Sequence, residues 1–227
     1  MNRYRLQRDE FCCGPIACIN ALIASGVPAH RAPSIRYLAH PDRMDARERH
    51  DSDGFGGTRP ERITRQLDVY FGKVTHLTDV RNGVLDSWAH AMKCCDQGAV
   101  LVILFSFWTD VPSTPERLTE AIPECKRNRY RKSGTEYVSA HYITLMSTKS
   151  KLADEQATAE FASRGYDYVA TNVWNGERYS THPCRNFEVQ ELVIGPPSLL
   201  WKNPQDGWGP YPQVWVVDPR TLRPGLF

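Results

Sequence analysis

Apolar residues crowd the stretch 13–25, CGPIACINALIAS, where Ile16, Ile19, Ala21, Leu22 and Ile23 fall on most sides of a helix. Apolarity all round predicts a buried helix rather than a surface one. Pro15 suits its first turn and Gly26 the position just past its end. Between 27 and 57 the pattern breaks up, and DRMDARERHDSDGFGG reads as an exposed loop. Order returns at Thr58-Arg59-Pro60-Glu61, which has the form of a capping box with proline in the first turn. The helix it opens runs to about Phe71, with Ile63, Leu67 and Tyr70 on one side. Val74 to Leu77 fits a short strand, and Gly83 to Gln97 a helix stopped by Gly98.

The run AVLVILFSF, Ala99 to Phe107, predicts a buried strand and is far too short to span a bilayer. Residues 108–135 read as loop, with a short helix from Pro115 to Ala121 and a basic run, CKRNRYRKSG, at the end. Glu136 to Ser147 alternates as a strand does. Val138, Ala140, Tyr142, Thr144 and Met146 share one face, and Tyr137, Ser139, His141, Ile143 and Leu145 the other. Lys149 to Gly165, polar and Ala-rich, is an insertion in a long hairpin whose composition suits a helix, and Tyr166 to Trp174 is the returning strand. One more strand is expected at Gln213 to Val217. Helices first and mostly antiparallel strands after them argue an α+β fold. The length of 227 residues suits a single domain, 1–227, with elaborated loops.

Composition narrows the function classes. Apolar residues make up 41% and charged residues 24%, and the net charge is +2, so nothing points to nucleic acid or a membrane surface as a partner. The N-terminus, MNRYRLQRDEF, lacks the apolar core of a secretory signal. Seven cysteines is an odd number, and Cys12-Cys13 and Cys94-Cys95 are adjacent pairs that bridge poorly, so reduced thiols in a cytoplasmic setting are expected. Non-classical export stays open. No Walker loop, dinucleotide fingerprint, HExxH or CxxC pair is present, so neither cofactor nor metal is expected. His182-Pro183-Cys184 and Cys94-Cys95 offer only loose ligand pairs, and the oligomeric state is left open.

Chemistry concentrates in QRDEFCCGPIACINAL. Cys13 stands at the start of the buried helix, where unsatisfied amides and the macrodipole favour a thiolate. Gly14 would let a substrate carbonyl approach the backbone. Gln7, six residues upstream of Cys13, carries an amide that can donate to an oxyanion, with the backbone amide of Cys13 as second donor. A thiol nucleophile needs a base, and His141 in SAHYITLM supplies one. The base needs a partner to fix its tautomer, and Asn172 in ATNVWNG is the candidate on the returning strand, with Trp174 as a shield. Asp218 in VWVVDPR competes for that role, and His182 in STHPC is the alternative base.

Glutamine, five residues, Cys-Gly and then a helix resembles the papain-like cysteine peptidase superfamily, closest to the bacteriocin-leader (double-glycine) peptidases. The order Gly98, apolar strand, loop, His141-Tyr142-Ile143 is similar to theirs, and Asn172-Val173-Trp174-Asn175-Gly176 looks like the Asn-Ser-Trp-Gly of papain. The resemblance implies a papain-like fold with Gln7 feeding the oxyanion hole, Cys13 as nucleophile, His141 as base and Asn172 as its orienting residue. It implies a thiol protease that hydrolyses a peptide or isopeptide bond of a peptide or protein substrate through a thioester. Two departures stand out: the leader peptidases carry Asp-Pro shortly after the histidine, whereas here Asn follows at a gap of 31 residues. Asn20-Ala21-Leu22 also looks like phytochelatin synthase, which implies an acyl transferase on the same site. The third reading is a papain-like binding module without activity. The plainer accounts make Cys13 a buried core thiol, Cys12 and Cys18 packing, Gln7 a surface residue and Asn172 a turn residue.

Overall fold

The computed structural model describes residues 4–9, 11–47, 56–77, 84–109, 131–132, 135–150, 155–174, 179–184 and 213–227. Among them the α-helices are α1 (Cys13–Ala24), α2 (Ile35–Ala39), α3 (Pro60–Phe71), α4 (Val84–Asp96) and α5 (Glu155–Ser163). The strands are β1 (Thr75–Leu77), β2 (Val100–Thr109), β3 (Arg131–Lys132), β4 (Thr135–Ser147), β5 (Tyr168–Trp174), β6 (Tyr179–Cys184) and β7 (Gln213–Val217). They form one antiparallel sheet in the spatial order β1-β7-β2-β4-β5-β6, with β3 paired to β4. The fold is mixed α+β.

Helices cover both faces of the sheet, which explains why β2 opens with an unbroken apolar run, Val100 to Phe105. Val100, Val102 and Leu104 join a core with α1 and α3, while Leu101 and Ile103 join a second core with Trp88, Ala91, Met92 and Cys95 of α4. A strand buried on both faces cannot alternate polar with apolar. Over residues 142–146, strand β4 follows the alternation read from sequence. Tyr142 and Met146 face the α1 core, Ile143 and Leu145 the α4 core, and Thr144 Oγ1 donates to the carbonyl of Ala17 on α1.

Helix α1 is buried at every position. It ends in a Schellman motif: Val27 N–H donates to Leu22 O at 3.0 Å and Gly26 N–H to Ile23 O at 3.0 Å. The motif needs the left-handed backbone at Gly26, φ +99°, which a residue without Cβ adopts at least cost.

Several expectations need correction. The segment after α1 is not all irregular, since α2 forms within it, capped by the Ser34 hydroxyl, and Met44 is fully buried. The capping box does not form. The N-cap of α3 is Arg59, with no side-chain cap, and Thr58 is buried with its hydroxyl unpartnered among the described residues. Thr58 faces α1 instead, so packing has taken the place of capping there. Part of the basic run is not loop, because Arg131 and Lys132 pair with β4. Strand β6 was not anticipated, nor was the insertion of β7 between β1 and β2. The expected helix at Pro115 to Ala121 lies outside the described residues, as do Asn175 and Gly176.

Candidate active site

Helix α1 presents Cys13 as its first residue, with Cys12 as N-cap. Pro15 has no N–H and Ile16 N–H bonds Cys12 O at 3.1 Å, so the amides of Cys13 and Gly14 stand outside the helix ladder. The approach to the helix is set by Asp9, whose carboxylate accepts from Phe11 N–H at 3.1 Å and Cys12 N–H at 2.7 Å. This turn fixes the offset between Gln7 and Cys13. Its signal, an acidic residue two and three places before the amides it binds, is legible in the sequence as an Asx turn, although Asp9 was not singled out.

Cys12 is unsuited to attack. Burial first, then its hydrogen bond with Asp9 and the charges of Asp9 and Cys13, push its thiol up to about 12. Burial also raises the Cys18 thiol, which lies fully inside the core.

Gln7, Asn172 and His141 meet in one network. Gln7 N–H donates to Asn172 Oδ1 at 2.9 Å, and Asn172 Nδ2 donates to Gln7 Oε1 at 3.2 Å. A backbone N–H can only donate, so it fixes which end of the Asn172 amide is oxygen. That in turn fixes the Gln7 amide, with its carbonyl toward Asn172 and its NH2 at the other end. His141 Nε2 lies 2.7 Å from the backbone carbonyl of Asn172. A carbonyl only accepts, so in the neutral ring Nε2 carries the proton and Nδ1 the lone pair. Cys13, Gln7 and His141 are each 6% exposed and Asn172 is fully buried.

The role expected of Asn172 is therefore corrected in its atoms. Its backbone oxygen, not its side chain, meets the imidazole, while the side chain holds Gln7. Both contacts are made with the Asn172 backbone at φ +60°, a left-handed conformation that Asn tolerates better than most residues. The β4–β5 pairing runs from Ser147↔Tyr168 to Thr144↔Thr171, and Asn172 follows directly. The twist in β5 there turns its carbonyl to the His141 ring.

Gly14 has a packing role that the sequence reading did not include. A Cβ at this position would lie 2.7 Å from Thr58 Cβ and 3.1 Å from Ile63 Cδ1. Glycine here lets α1 pack against the segment leading into α3. Thr58 O in turn accepts from the Tyr142 hydroxyl at 2.9 Å. Tyr142 adjoins His141 on β4, so Thr58 ties the start of α1 to the histidine's strand.

Asp218 does not compete for His141. It caps a short 3-10 helix, and its carboxylate binds Arg220, whose hydrogen bond is the main reason its acidity is raised. His182 lies on β6, and its side chain is outside the described residues, as is that of Trp174. Among the described residues no group of three or more His, Cys, Asp or Glu is placed to hold a metal ion. No described helix is long and apolar enough to cross a membrane.

No protein-family model matches the sequence, and no curated protein or solved structure matches it at a significant level.

Proposed function

We propose that the chain is a papain-like cysteine peptidase that cleaves a peptide or isopeptide bond through a thioester on Cys13. One observation carries the reading: Asn172 hydrogen-bonds both Gln7 and His141, the two residues that the resemblance makes oxyanion donor and base for the Cys13 thiol. A packing-only account gives no reason for a buried imidazole and a buried amide to be oriented by the same strained residue.

The Cys13 sulfur attacks the scissile carbonyl, and His141 takes the thiol proton at Nδ1 while Nε2–H stays on the Asn172 carbonyl. The carbonyl oxygen becomes an oxyanion, stabilised by the Gln7 NH2 and a first-turn amide of α1. The proton passes from His141 to the leaving amine, the C–N bond breaks and a thioester remains. Water, deprotonated by His141, then adds to the thioester and expels the thiolate.

Timed iodoacetamide labelling, read cysteine by cysteine by mass spectrometry on wild type and His141→Ala, tests the pair. Cys13 should label far faster than Cys94 near neutral pH and slow in the variant. Uniform slow labelling, unchanged in the variant, would leave Cys13 a core thiol. Capture of the acyl group by water rather than by an added amine separates hydrolysis from acyl transfer.

A further inference from the structure

Asn20 is fully buried two turns along α1 from Cys13, yet it spends its side chain on groups outside the helix. Arg5 N–H donates to its Oδ1 at 2.8 Å, and its Nδ2 donates to Arg5 O at 3.1 Å and to Thr171 Oγ1 at 2.9 Å. Buried amides are costly unless paired, and this one is paired to two separate segments. Arg5 lies two residues before Gln7, and Thr171 immediately precedes Asn172. The partners of Asn20 are thus the neighbours of the two residues that grip each other through the Gln7–Asn172 bonds.

We infer that Asn20 is a positioning residue for the oxyanion donor, locking the Gln7 segment and β5 to the helix that carries Cys13. The role rests on the cysteine-peptidase reading. Asn20 takes no part in the reaction and touches none of the reacting atoms. Residues 4–7 belong to no helix or strand, so the ladder bonds that hold such elements do not fix them. Tyr4, anchored through its hydroxyl to Met146 Sδ at 3.2 Å, and Arg5, anchored by Asn20, hold the segment just before Gln7.

Two reactions of Cys13 separate this role from general support of the fold. Alkylation by iodoacetamide is a displacement at carbon: the S–C bond forms as iodide leaves, and no oxyanion arises. Acylation by p-nitrophenyl acetate forms an S–C bond at the carbonyl, passes through an oxyanion and releases p-nitrophenolate. Asn20→Ala should lower the acylation rate by on the order of tenfold to a hundredfold, the usual effect of misplacing a catalytic group by about an ångström, with alkylation near wild type. Asn20→Ala combined with Gln7→Ala should acylate no more slowly than Gln7→Ala alone. Thr171→Val removes a single acceptor and should shift acylation the same way by less, which covers the case in which Asn20→Ala folds poorly. Equal loss of both reactions in both variants, or no loss of acylation, overturns the role. A wild-type Cys13 that reacts with neither reagent faster than Cys94 overturns the enzyme reading itself, and the Asn20 role with it.

Discussion

The backbone carbonyl of Asn172 and Nε2 of His141 lie 2.7 Å apart, so the imidazole is oriented by a main-chain oxygen while the Asn172 side chain is engaged with Gln7. The two jobs can be pulled apart by mutation. Asn172→Gly keeps the carbonyl and the left-handed backbone but deletes the amide that holds Gln7. Cys13 should still be alkylated near the wild-type rate, while acylation by p-nitrophenyl acetate falls on the order of tenfold. If alkylation collapses as in His141→Ala, the side chain, not the carbonyl, orients the ring.

Much of the fold was legible because periodicity reports burial. The ends of α1, the two faces of β4 over residues 142–146 and the span of β7 match the sequence pattern closely. The sheet order was not legible, since nothing in a short apolar strand such as β7 says which strands it separates. At the site, residue types and spacing named Gln7, His141 and Asn172, and these three are directly bonded to one another through Asn172. The atoms were misassigned because a motif names side chains, whereas the contact to His141 depends on a backbone twist at one residue. Thr58 was misread for the opposite reason. Its local pattern favoured a helix cap, and tertiary packing against Gly14 prevailed.

Gly14→Ala should destabilise the protein. Alanine offers a helix up to ~1 kcal/mol over glycine, and less in a first turn. Overpacking costs about 1–3 kcal/mol, and here the obstruction, 2.7 Å from the new methyl, is Thr58 Cβ, which no rotamer change can move. The clash wins, and thermal unfolding should move down by roughly 2–4 °C for each kcal/mol in a chain of this size. Adding Thr58→Ala should restore little, because it removes Oγ1 but leaves Cβ in place. Full recovery in that double variant would show that the hydroxyl was the obstruction.

His76 predicts the shape of the acid limb of stability. It stacks on Trp215 at 4.2 Å, with Nε2 3.0 Å from Gln213 Oε1 and Nδ1 3.5 Å from Thr64 Oγ1. Burial lowers its pKa from 6.5, outweighing the Gln213 hydrogen bond and the charge of Glu61, which raise it. The unfolded chain therefore binds the proton more readily than the folded one. The contribution is complete above pH 6.5 and is lost as pH falls through the depressed folded value. The loss in urea midpoint between pH 7 and pH 5 should be smaller in His76→Gln than in wild type. An equal loss would mean that this ring does not resist protonation.

Cys12 and Cys13 adjoin in sequence but should differ widely in reactivity. With its thiol pushed up to about 12, Cys12 holds only ~10⁻⁴ of its population as thiolate at pH 8 and should alkylate far more slowly than Cys13. Asp9→Asn tests the cause. The amide oxygen can still accept from Phe11 N–H and Cys12 N–H, so the turn before α1 holds, while the negative charge disappears. Alkylation of Cys12 at pH 9 should speed up, because a repulsive charge and a bond that favours the thiol have both gone. It should not reach the rate of half-buried Cys94, because burial, the largest cause of the shift, is unchanged. If Cys12 matches Cys13 in wild type at neutral pH, the first turn of α1 does not discriminate between them, and the assignment of the nucleophile to Cys13 fails.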